Sequence, residues 1–121
     1  MPFRSAAAYV LSAVLVILAA QLGLAEALGA HPFWAVRTAW IGAPLGVVLA
    51  VAARYAGLLR PQRVLLFAAL LIPAAASAYF GKSAFVASIA ENRLAGLFWH
   101  YGWIAIPAMA TALYASALVR D

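Results

Sequence analysis

Residues 97–119, LFWHYGWIAIPAMATALYASALV, run from Leu97 to Val119 without an aspartate, glutamate, lysine or arginine. As a helix rising about 1.5 Å per residue, this segment is long enough to cross the roughly 30 Å hydrocarbon core of a bilayer. Charges bracket it, with Glu91 and Arg93 before and Arg120 and Asp121 after. Three earlier apolar runs repeat the pattern. The expected spans are about 5–28, 33–55, 64–80 and 96–119, in one domain covering 1–121. The expected fold class is all-α: an integral membrane bundle of four transmembrane helices with antiparallel neighbours, three of the spans carrying a central proline.

Composition leads to the same class. Apolar residues make up 69% of the chain and charged ones 9%. Ordinary soluble domains hold about 45–50% and about 25%. A small soluble fold keeps too much of its area in water to hide that excess, whereas lipid accepts it. Net charge is +5. The eight basic residues are scattered at segment ends, where membrane topology and anionic headgroups account for them, so no nucleic-acid partner is expected. The absence of cysteine excludes disulfides, thiolate metal sites and cysteine nucleophiles.

The first apolar run exceeds the 7–15 residues of a signal-peptide core, and a retained helix is expected. Ser5, Tyr9, Ser12, Gly23 and Glu26 fall close to one face at 100° per residue, a face suited to packing against sister helices. The turn Gly29-Ala30-His31-Pro32 follows. In the second span Gly42-Ala-Pro-Leu-Gly46 combines a small-residue contact motif with Pro44, which cannot donate to the carbonyl of Trp40 and should kink the helix. Pro73 and Pro107 interrupt the third and fourth spans in the same way. Arg54, Arg60 and Arg63 form the most basic loop. Lys82 to Arg93 reads as an interfacial helix lined by Phe85, Val86 and Ile89, as a plain loop, or as an extension of either neighbour.

With the N-terminus inside, Arg4, Arg54, Arg60, Arg63 and Arg120 lie on the cytoplasmic side and Arg37, Lys82 and Arg93 on the other. The bias favours N-in and C-in insertion in the cell (inner) membrane, with dual topology as the alternative.

In that orientation the unusual polar residues gather outside. Glu26, Arg37, His100 and Trp103 are the candidates for a polar pocket, Glu26 and Arg37 as a charge pair and His100 as a titratable or hydrogen-bonding member. Solvated interfacial anchors are the plainer alternative. His100, Trp103, Pro107, Thr111 and Tyr114 share a face by their 3–4 spacing. His31 and His100 at similar depth raise the thought of a haem between them, but His31 stands in a turn before a proline and no motif accompanies it, so no cofactor is expected. The histidines and acids lack metal-ligand spacing. There is no G-x-S-x-G elbow and no phosphate-binding glycine loop.

Three functional classes follow. One is non-catalytic transport or lipid handling through the outer pocket, by a homo-oligomer in contact with membrane lipids. The second is an accessory subunit packed against partner membrane chains. The third is a lipid-modifying enzyme with His100 as acid–base group and Arg37 on an anionic head.

Overall fold

A computed structural model of the chain describes residues 3–120, and every regular element in them is a helix. In chain order these are α1 (Phe3–Gln21), α2 (Leu24–Ala27), α3 (Ala35–Tyr55), α4 (Arg60–Ala87) and α5 (Arg93–Leu118). Four of them, all but α2, are long and apolar enough to cross a membrane.

Local chemistry sets the breaks. The run expected to continue to residue 28 is divided, because Gly23 enters the left-handed region at φ 94° and re-aims the chain. Gly29, at φ 117°, ends α2 with an Ala30 N–H bond to the carbonyl of Ala25 (2.9 Å). After α3, Gly57 adopts φ 96° while the Leu58 N–H reaches back to Ala53 (3.2 Å). The α4 helix opens with Pro61 in its first turn, where the missing N–H costs nothing, and with the Leu59 N–H donating to Gln62 Oε1 (2.9 Å). It continues through Lys82 to Ala87, so the first half of the ambiguous 82–93 stretch extends α4. A turn follows, in which Ile89 and Ala90 have φ 56° and 62° and the Asn92 N–H donates to Ser88 Oγ (2.9 Å). Asn92 then caps α5, its Oδ1 accepting from the Ala95 N–H (3.1 Å).

The α5 helix lies at the centre, packed against α1, α3 and α4, and it is the most buried of the four long helices, as α1 is the least. Small residues set the approach. A Cβ at Gly42 would collide with the Ile104 carbonyl and Pro107, and one at Gly46 with the Ala108 carbonyl and Thr111. Gly81 opposes Ala95 and Trp99, and Gly102 opposes Ala78. Partner numbers rise together along α3 and α5, and fall along α4 as they rise along α5. Pro44, Pro73 and Pro107 all lie inside their helices.

Tyr9, Ala50, Phe67, Ala112, Ala115 and Val119 form the core at one end, and Ala30, Ala35, Ala78, Trp99 and Trp103 that at the other. Of the α1 polar face, Tyr9 and Ser12 are buried, Ser12 Oγ donating to the Ala8 carbonyl (2.8 Å), while Ser5 Oγ accepts from Arg54 (3.2 Å).

Arg63 departs from the sequence reading. It belongs to the first turn of α4 rather than to an open loop, and only 1% of its surface is exposed. Its guanidinium donates to the Val119 carbonyl at the end of α5 (2.6 Å) and to the Leu58 carbonyl beyond α3 (3.0 Å). The Val119 carbonyl stands at the negative end of the α5 dipole, which favours a cation there, and the Leu58 carbonyl supplies a second acceptor for the buried guanidinium.

Gly42→Ala and Gly46→Ala should each destabilise the protein by about 1–3 kcal/mol through overpacking. The check is the midpoint of thermal unfolding in detergent, which should fall for both and stay in place for Val48→Leu on the exposed side of α3.

Candidate functional site

The 28–34 turn is tied to two helices. Tyr79 of α4 donates its hydroxyl to the Leu28 carbonyl (2.9 Å), and Trp99 of α5 donates its indole N–H to the Gly29 carbonyl (3.0 Å). The Lys82 ammonium stands 5.8 Å from the Trp99 ring centroid and within reach of the same glycine. Beyond that tie the turn coils, with the Trp34 N–H bonded to the His31 carbonyl (3.0 Å) and the Phe33 N–H to His31 Nδ1 (3.2 Å). A neutral imidazole accepting at Nδ1 carries its proton on Nε2, so His31 keeps a donor.

A cleft of about 450 Å³ opens beside this turn, between the start of α3, the end of α4 and the start of α5. Its polar lining consists of His31, Trp34, Thr38, Arg93, His100 and Trp103, with Trp99 and Phe85 completing the wall. His31 packs on Trp99 with centroids 5.3 Å apart, and His100 meets Trp34 edge-on at 5.8 Å. No carboxylate among the described residues lines the cleft. Among the described residues Arg93, His100 and Trp103 have no ion-pair or hydrogen-bond partner, and Thr38 donates back to the Ala35 carbonyl (3.1 Å). The cleft therefore presents donors and one fixed positive charge, an arrangement that accepts anionic or carbonyl-bearing groups and does not suit cations.

A second, apolar cleft of about 360 Å³ adjoins the first, and Thr38 and Trp103 line both. It runs between α1, α3 and α5 past Leu15, Ala19, Ile106, Ala110 and Tyr114.

The four pocket candidates separate. His100 and Trp103 line the first cleft. Glu26 sits exposed on α2, and Arg37 places its guanidinium 5.2 Å from the Trp34 ring; neither lines the cleft, and they form no ion pair with each other. Gly42 and Gly46 pack against α5 of the same chain, as described. Trp34, Thr38 and Trp99 also line the cleft, and nothing in their sequence context singles them out as site residues apart from one pattern on α5. Trp99 and Trp103 belong to a dense aromatic run, Phe98 to Trp103, of which Phe98 and Tyr101 point outward and these two inward. A signal was present: both tryptophans fall on the side of α5 that also carries Ala95 and Gly102. The shared face of His100, Trp103, Pro107, Thr111 and Tyr114 supplies walls to both clefts, except that Thr111 lies against Gly46 instead. No three His, Cys, Asp or Glu side chains converge among the described residues.

Comparison of the chain with protein-family models, curated proteins and solved structures returns no match.

Replacing Trp99 with Phe removes the bond to Gly29 and leaves that carbonyl unpaired. The variant should lose about 1 kcal/mol of stability, and hydrogen exchange at the amides of residues 28–34 should accelerate while that of α3 beyond Gly42 holds.

Proposed function

We propose that this chain is a multi-pass protein of the cell (inner) membrane that takes part in transport or lipid handling, binding an amphiphile in the cleft at its outer end. The N- and C-termini face the cytoplasm, consecutive long helices run antiparallel, and membrane lipids surround the exposed apolar faces. The observation that carries the reading is the cleft's lining, in which Arg93, His31, His100 and Trp103 occur together and, among the described residues, no carboxylate does. Polar groups that served only as headgroup anchors would stand singly at their helix ends; these four border one space.

The accessory-subunit alternative loses one support. Gly42 and Gly46, the contact motif that a partner helix would use, are covered by α5 of the same chain. The enzyme alternative needs a base beside a reacting atom, and His100 has only ring contacts, to Trp34 and Tyr101.

Orientation is tested with single cysteines, since the chain has none. In intact cells an impermeant maleimide should label Glu91→Cys, and should label Gln62→Cys only after permeabilisation. Labelling of both from both sides would establish dual topology. Handling is tested in vesicles by following a fluorescent lipid between leaflets. The wild-type protein should accelerate exchange and His100→Ala should slow it several-fold; exchange equal to that of protein-free vesicles would refute the reading.

A further inference from the structure

The two clefts are adjacent and differ in chemistry. The first has the donors and the Arg93 charge, and its lining holds no acid to compete for them. The second has an almost wholly apolar wall. Thr38 and Trp103 stand between them and line both; Trp103 has 6% of its surface exposed, and among the described residues its indole N–H has no hydrogen-bond partner.

Resting on the membrane reading above, we propose that the two adjacent clefts act as one site for an anionic amphiphile, its phosphate- or carboxylate-type head in the first cleft and one hydrocarbon chain in the second, with the Trp103 side chain moving aside at their junction. Arg93 pairs with the head, and the His31 and His100 ring N–H groups donate to its oxygens. Once moved, the Trp103 indole covers the junction. The chain lies between α1 and α5, against Leu15, Ala19, Ile106 and Ala110.

Length supports the chain's place. From Trp103 to Tyr114 the groove follows α5 for roughly 16 Å at 1.5 Å per residue. That is about half of a bilayer's roughly 30 Å core, the depth of one leaflet. A lipid held by its head at the outer end would thus keep its tail at its ordinary depth while exchanging lipid neighbours for protein walls. The binding preference then resides in the head, because hydrocarbon gains little by moving from lipid to an apolar groove. An uncharged head would forgo the Arg93 interaction, and a cationic head would be repelled by it.

The test uses the full chain purified in a neutral maltoside detergent, with intrinsic tryptophan fluorescence and native mass as readouts. Dodecyl phosphate should bind one per chain; dodecanol and inorganic phosphate should bind at least tenfold more weakly. Arg93→Gln should weaken dodecyl phosphate about tenfold or more, the loss of one charge-assisted contact. Ala110→Phe, which fills the apolar groove, should weaken dodecyl phosphate and leave inorganic phosphate unchanged; Ala19→Leu repeats that test from the α1 side should the first variant unfold. Inorganic phosphate binding as tightly as dodecyl phosphate would overturn the tail site. Dodecanol matching dodecyl phosphate, or indifference to Arg93→Gln, would overturn the anionic head site. Binding as expected without lipid exchange in vesicles would uphold this inference and refute the handling role; exchange with binding indifferent to Arg93 would do the reverse.

Discussion

Close approach of the α5 backbone to its neighbours is the constraint on which the other features depend. Between helices in an apolar solvent there is no gain from hiding hydrocarbon, so association rests on contact area and on backbone proximity. Gly42 and Gly46 on α3, Gly81 on α4 and Gly102 on α5 supply that proximity, each at a place where a methyl group would strike a facing helix. Alanines fill the same seams, among them Ala43, Ala78, Ala108, Ala112 and Ala115. Bulky side chains are thereby displaced to the outside, where Leu65, Ile72 and Phe80 stand exposed.

Buried polar groups then fix the ends of the bundle. At one end the Arg63 guanidinium joins the Val119 carbonyl at the end of α5 to the Leu58 carbonyl beyond α3. A planar, permanently charged fork suits such a position better than an ammonium would, since it can serve two carbonyls at once. At the other end Tyr79 and Trp99 reach from α4 and α5 to adjacent carbonyls of the 28–34 turn. In both places a side-chain donor satisfies a backbone acceptor that no helix ladder serves. The turn's position decides where His31 and Trp34 stand, and so creates the cleft.

The cleft lies beside the close seam of α4 and α5. Gly81 and Gly102 keep the backbones of these two helices in contact at the level of Trp99 and Trp103, both of which are buried. The space left between these helices, the start of α3 and the turn is rimmed by the rings of His31, Trp34, Trp99 and His100. Phe85 fills part of the gap against Trp99 and Gly96 rather than lying on a surface helix.

Much of the architecture was legible in the residues. The uncharged length of 97–119, the spacing of the other apolar runs and the glycine and proline punctuation lead to four long helices, because each of those features acts within one segment. The 3–4 spacing of His100, Trp103, Pro107 and Tyr114 likewise placed them on one face before any partner was known. Tertiary structure decided the rest. Arg63 looks like any other basic residue beside a loop, and its burial depends on where the end of α5 arrives, more than fifty residues later. Glu26 and Arg37 seemed natural partners from their depth, yet Gly23 turns α2 aside and Arg37 lies over Trp34. Periodicity along one helix states which residues share a face; which face meets which, and what space is left between, is settled only when several helices compete for the same neighbours.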